Sequence, residues 1–105
     1  MRVLPTRLDG LVAIEPAKFA DERGFFCETY RSEWNAAIGL AESERFVQDN
    51  HSRSTRGVLR GMHFQLGDGL GKLVRCARGR ILDVGVDLRR GSPTYGQWDA
   101  VELDE

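Results

Sequence analysis

Short apolar runs alternate with turn-forming residues along this chain, and only one run carries a helical pattern. Residues 11–14 (LVAI) read as a short strand stopped by Pro16. Residues 17–24 contain DERG, a turn-like cluster. Residues 25–30 (FFCETY) alternate, with Phe25, Cys27 and Thr29 on one face and Phe26, Glu28 and Tyr30 on the other. Ser32 is placed to cap a short helix, SEWNAAIG, which Gly39 closes. Residues 46–52 form the next strand, a basic SRSTRG turn follows, and residues 58–64 (VLRGMHF) return as another. A glycine-rich loop over 65–71 (QLGDGLG) leads to a strand over 72–77 and a tight turn at Arg78-Gly79-Arg80. The strand over 81–88 (ILDVGVDL) turns Leu82, Val84, Val86 and Leu88 to one face, and Asp83, Gly85 and Asp87 to the other. The loop RRGSPTYGQ connects it to a last strand over 98–103.

About six short strands with close turns and one small helix predict an all-β sandwich or barrel. The last strand alternates along its whole length, yet no further strand follows to pair with it. An open edge is a liability. Either another chain covers it, or these residues are the front part of a larger barrel.

The polar positions change this picture. In the strand over 46–52, Phe46, Gln48, Asn50 and Ser52 share one face, and Val47, Asp49 and His51 share the other. Gln48 and Asn50 pointing the same way suit a pocket wall better than a core. Strict alternation puts Arg60 and His63 on opposite faces, but Gly61 lies between them. A glycine inside a strand often marks a bulge. The expectation is a bulge near Gly61 that turns both side chains to one pocket.

At 105 residues, 41% hydrophobic, the chain is long enough for one domain, residues 1–105, with a modest core. A net charge of −1 gives no whole-chain case for nucleic acid or membrane. Residues 45–80, however, carry eight Arg and Lys against two acids, Asp49 and Asp68. That excess suits an anionic ligand, or a solvated face covered by an acidic partner. Cys27 and Cys76 fit no CxxC or metal spacing and read as reduced, buried thiols of a cytoplasmic protein. The N-terminus has no apolar run long enough for a signal peptide or a spanning helix.

His63 is the candidate base, since an ordinary imidazole, with a pKa of about 6.5, accepts a proton near neutral pH. A hydrogen-bonded core histidine is the alternative. His51 abuts a polar turn and is the weaker candidate, and Asp83 could orient a histidine from a neighbouring strand or simply line a strand face. Lys72, directly after the glycine-rich loop, could stabilise an oxyanion or sit as a surface lysine. Arg23, Arg53, Arg56 and Arg60 could grip a diphosphate or carboxylate, or form a basic surface. Arg60, mid-strand, is the hardest of these to read as surface. No metal is expected, because His51 and His63 are twelve residues apart and fit no ligand spacing. Gly67, Gly69 and Gly71 lack the helix and GK[ST] of a phosphate loop. Single-strand nucleic-acid binding wants interleaved aromatics, and the basic stretch offers only Phe46 and Phe64.

Four blocks in order, FADERGFFCETY, FVQDNHSRSTRGVLRGMHFQ, GKLVRCARGRILDVGVDLRRGSPTYGQW and the closing VEL, resemble the dTDP-4-dehydrorhamnose 3,5-epimerase family from about residue 3 onward. The resemblance implies a double-stranded β-helix (jelly-roll, cupin-like) without metal or other cofactor, working as a homodimer. It implies exchange of the protons at sugar positions 3 and 5 of a dTDP-4-keto-6-deoxyhexose. By that resemblance His63 matches the base and Lys72 the group that holds the enolate oxygen. Gln48, Asn50 and Arg60 match sugar and diphosphate contacts, with Asp49 in the same block. Arg23 and Glu28 match nucleotide contacts donated across the dimer. Family members are longer, and their second half supplies a tyrosine acid, a carboxylate partner for the base, a further substrate-binding histidine and the closing strands. Tyr95, in the PTYGQW loop, does not match that acid. The expectation is therefore the N-terminal part of an epimerase jelly roll, incomplete, carrying the base half of the site. The alternative is a non-catalytic sugar-nucleotide-binding or dimerisation fragment. A basic module for single-stranded nucleic acid is a third reading.

Overall fold

The computed structural model describes residues 1–67 and 69–105. Its strands, among the described residues, are β1 (Arg2–Pro5), β2 (Val12–Glu15), β3 (Lys18–Asp21), β4 (Gly24–Cys27), β5 (Arg80–Val86) and β6 (Trp98–Asp104). They pair as three antiparallel hairpins, β1 with β2, β3 with β4 and β5 with β6. The chain divides into two compact units, one made of Met1–Glu44 with Arg75–Glu105, the other of Arg45–Val74.

The larger unit holds all three hairpins. β1, over RVLP, has no expected counterpart, because Pro5 and the basic flanks hide a strand that is specified by its partner: Val3 lies opposite Ile14. The cluster expected as a turn over 17–24 is mostly β3, and only Glu22 and Arg23 form the tip, between Asp21 and Gly24. Gly24 takes φ +129 there, a region open to glycine and strained for other residues. The expected helix is two successive 3₁₀ turns, Ser32–Trp34 and Ala36–Ile38, ended by Gly39 in the left-handed conformation. Arg31 rather than Ser32 occupies the cap position, and no side chain caps it. Asn35 organises this segment instead. It is buried, accepts a hydrogen bond from the Tyr30 hydroxyl at 3.0 Å, and its carbonyl accepts from the Leu40 N–H at 2.9 Å.

The β5–β6 ladder runs from Arg80 opposite Asp104 to Val86 opposite Trp98. Its expected apolar row is present, but Leu82 (67% exposed) and Val86 (37% exposed) face solvent. The opposite face is covered at its Gly85–Asp87 end, whereas Ile81 and Asp83 are exposed. An added Cβ on Gly85 would lie 2.9 Å from Leu11 Cδ2, so the strand accepts Leu11 only because residue 85 has no side chain. Leu8, whose carbonyl accepts from the Leu11 N–H at 3.2 Å, is 4% exposed.

Beyond Val86 the ladder continues by one step, Asp87 N–H donating to the Gln97 carbonyl at 2.9 Å and Gly96 N–H to the Asp87 carbonyl at 2.8 Å. The buried Asp87 carboxylate then fills the inside of the 88–96 loop. Oδ1 accepts from the Arg89 N–H and Nε, both at 2.9 Å. Oδ2 accepts from Arg89 Nη2 at 2.9 Å, Ser92 Oγ at 2.5 Å and Thr94 Oγ1 at 2.6 Å. Arg89 also donates to the Asp9 carbonyl at 2.8 Å, which ties the 6–11 segment to this loop. A second tie is Asp99, which accepts from the Arg7 N–H at 2.9 Å.

The smaller unit differs from expectation. Strands were expected over 46–52, 58–64 and 72–77, and none of these segments joins a ladder among the described residues. Alternating side chains report which way residues face, but a strand also needs a partner for its backbone groups. The bulge expected near Gly61 has no ladder to interrupt. The loop expected over 65–71 includes Asp68, which lies outside the described residues.

Hydrogen bonds from Arg89, then from Ser92 and Thr94, hold the Asp87 carboxyl far below the ordinary carboxylate range. A carboxylate depressed on folding stabilises the fold above its unfolded pKa, near ~4, and loses that contribution as pH falls below it. Asp87→Asn must place an amide N–H₂ against donors. The expected result is a fall of about 5 °C or more in Tm at pH 7, the effect of losing one net buried hydrogen bond in a small domain. The variant should also lose less stability than the wild type between pH ~4 and pH 2. Thermal unfolding followed by circular dichroism across that range checks both.

Candidate functional site

The smaller unit, Arg45–Val74, carries Gln48, Asp49, Asn50, Arg60, His63 and Lys72. Its backbone reverses at a turn in which the Val58 N–H donates to the Thr55 carbonyl at 3.3 Å. Gly57 sits at φ +85 inside that turn, where a side chain would be strained. Before the turn, Gln48 Nε2 donates to Asn50 Oδ1 at 3.1 Å, so the two side chains do share a face as their spacing requires. After the turn, Arg60 folds back across it. Its Nε donates to Ser54 Oγ at 2.8 Å and its Nη2 to the Arg53 carbonyl at 3.4 Å.

Gly61 follows at φ +150, a backbone region that favours glycine. His63 and Lys72 are both exposed, and among the described residues neither makes a hydrogen bond or ion pair. The structure thus brings Gln48 to Asn50 and orders Arg60, and it joins His63 and Lys72 to none of them by a direct contact. The His63 ring and the Lys72 ammonium are left accessible for a ligand. Sequence reasoning passed over Ser54. The signal for it was the turn glycine, which makes residues on either side of SRSTRG cross-turn neighbours.

The larger unit carries Arg23 and Glu28. Arg23 lies at the tip of the β3–β4 hairpin, where its Nε and Nη2 donate to Asp21 Oδ2 at 3.1 and 2.5 Å. Its own N–H donates to Asp21 Oδ1 at 2.9 Å. The Arg23 hydrogen bonds pull the Asp21 carboxyl below its ordinary range. Glu28 follows β4 and pairs with Arg31 Nη1 at 3.5 Å. Arg31 also donates to Glu33 from Nε at 3.1 Å and Nη2 at 3.0 Å, and this holds Glu33 at about 2. Two surface depressions of this unit are lined by Met1, Arg2, Glu15, Pro16 and Ala17, and by Arg7, Gly96, Gln97 and Trp98. Neither holds an expected site residue. Cys27 and Cys76 are free thiols, half-buried. Among the described residues no helix is long and apolar enough to cross a membrane.

The dTDP-4-dehydrorhamnose 3,5-epimerase family matches residues 5–105. The chain belongs to that family. It is 53% identical over 104 residues to the dTDP-4-dehydrorhamnose 3,5-epimerase of Methanothermobacter thermautotrophicus, covering 99% of this chain and 55% of the relative. To the enzyme of that name from Salmonella typhimurium it is 49% identical over 104 residues, covering 98% of this chain and 56% of the relative. Among solved structures it resembles dTDP-6-deoxy-D-glucose-3,5-epimerase from Legionella pneumophila in complex with dTDP-4-keto-L-rhamnose. That match has a TM-score of 0.91 and 47% identity, and covers 98% of this chain and 54% of the other. The chain spans about half the length of the epimerases it matches. As in that family, the fold is all-β, of the cupin-like jelly-roll type.

Asp21 orients a residue expected to touch the nucleotide, so its protonation should be visible at Arg23. The Arg23 Nε chemical shift should stay constant from pH 7 down through the ordinary carboxylate range and move only as pH falls through the lowered Asp21 value. That step should vanish in Asp21→Asn. Nitrogen-15 NMR of the arginine side chains reads this out, while Tm should move by only about 2 °C or less, as for other exposed pairs.

Proposed function

We propose that this chain acts on a dTDP-4-keto-6-deoxyhexose and supplies the proton-abstracting half of a 3,5-epimerase site. The observation that carries this reading is the unbroken family match over residues 5–105, which includes every residue named for the site. The Legionella relative, solved with dTDP-4-keto-L-rhamnose, supports the same class of ligand.

The chemistry follows from the ketone. A C–H bond next to a carbonyl is acidic because the electron pair left by the proton delocalises onto the carbonyl oxygen as an enolate. His63 takes the proton from carbon 3 or carbon 5. Lys72 places an ammonium beside the enolate oxygen, where negative charge develops in the transition state. Gln48 and Asn50, already facing the same way, hold the sugar, and Asp49 lies in the same block. Arg60 meets the diphosphate, whose charge suits a guanidinium fork. Arg23 and Glu28 contact the nucleotide of a partner protomer in a homodimer. Return of a proton to the opposite face of the enolate inverts the centre, and in the resembled family a tyrosine from the second half donates it. We place the reaction in dTDP-rhamnose formation in the cytoplasm, with no cofactor.

Incubation with the 4-keto-6-deoxy nucleotide sugar in deuterated water tests the reading. NMR should show deuterium entering positions 3 and 5, with the exchange slowed by about a hundredfold or more in His63→Asn. Binding without any exchange would leave the chain as a sugar-nucleotide-binding fragment. Exchange that ignores the His63 substitution would remove His63 as the base.

A further inference from the structure

We propose that Ser54 is a positioning residue for Arg60, fixing the guanidinium so that one edge stays open for the anionic group of a nucleoside diphosphate sugar. The inference rests on the reading above, in which Arg60 contacts that ligand.

The geometry comes from the turn. Thr55 to Val58 closes through one backbone hydrogen bond, and Gly57 at φ +85 lets the chain reverse within it. Residues 54 and 60 thereby come to face each other although six positions separate them. A guanidinium has five N–H donors in one plane. Nε–H and one Nη2–H point to the same side and form one fork; the Nη1 and Nη2 ends form the other. In this structure the first fork is the occupied one, with Nε donating to Ser54 Oγ at 2.8 Å and Nη2 to the Arg53 carbonyl at 3.4 Å. The end-on fork makes no further hydrogen bond among the described residues. It is the edge that accepts a phosphate or carboxylate through two parallel bonds.

Tethering matters because arginine is long and mobile. A free side chain loses rotamer freedom when a ligand fixes it, and that loss weakens binding. Ser54 and the Arg53 carbonyl restrict Arg60 beforehand. Both anchors are neutral acceptors, so they leave the arginine's positive charge uncompensated. Asp21 and Arg23 offer the contrast: there a carboxylate holds the guanidinium and neutralises it. The serine hydroxyl is therefore suited to orienting a cation that must still attract an anion.

Isothermal titration of the 105-residue chain with thymidine diphosphate tests this as a double-mutant cycle. Ser54→Ala should weaken binding about five-fold, the effect of one hydrogen bond of typical net strength. Ser54→Thr, which keeps the hydroxyl, should bind like the wild type. In the Arg60→Gln background, Ser54→Ala should change affinity by less than about 1.5-fold, because the group it positions is gone. Equal losses in both backgrounds would mean that Ser54 acts on the fold or on the ligand directly, and would overturn the proposal. So would wild-type affinity in Ser54→Ala. If the unsubstituted chain binds no thymidine diphosphate, the reading of Arg60 as a ligand contact fails first and takes this inference with it.

Discussion

The Asp87 carboxylate is the constraint on which the 88–97 loop and its tie to the 6–11 segment depend. One buried anion receives hydrogen bonds from Arg89, Ser92 and Thr94, and its backbone extends the β5–β6 ladder to Gly96 and Gln97. A carboxylate without those partners would be costly to bury; with all of them it specifies the whole loop. Arg89 passes the effect on, because the same guanidinium reaches the Asp9 carbonyl. The 6–11 segment is thereby stitched to the end of the longest hairpin, and Leu11 seats against Gly85. Hydrophobic burial alone would not do this, since Leu8 and Trp34 are the buried apolar residues among those described.

The segment from Arg45 to Val74 follows a different rule. It has no ladder among the described residues, and its local order comes from side chains and glycines. Gln48 meets Asn50, Arg60 meets Ser54, and Gly57 and Gly61 permit the path between them. Polar side chains on such a segment remain available to a ligand, whereas those of the Asp87 loop are consumed in holding the fold. This difference fits the proposed role of the segment as the part that meets the ligand.

Periodicity read the scaffold well where a strand is long and pairs within the chain. β5 and β6 lie close to their expected spans, and β2 and β4 lie within theirs or near them. It failed where pairing decides. β1 carries Pro5 and too few apolar residues to announce a strand, yet β2 supplies a partner. Residues 46–52 and 58–64 announce strands and find no partner among the described residues. Which face is covered was also hidden: the apolar row of β5 is open, and glycine and aspartate are the residues packed against Leu11 and the loop. The shared facing of Gln48 and Asn50 was legible because it depends only on chain geometry. His63 and Lys72 were candidates by residue type and position, and only the family resemblance raised them above the ordinary readings, since an exposed histidine and an exposed lysine carry no local mark of function. Ser54 was not legible from residue type, because a serine in a basic turn has many ordinary uses.

Amide hydrogen exchange of the 105-residue chain, followed by mass spectrometry with and without the dTDP-4-keto-6-deoxy sugar, tests the division between scaffold and site most directly. The account predicts that peptides from 80–86 and 98–104 are protected before ligand is added and unchanged after it. Peptides from 45–74 should exchange quickly alone and slow when the nucleotide sugar binds. Unaltered exchange across 45–74 at saturating ligand, or ligand-induced slowing confined to the β5–β6 hairpin, would contradict it.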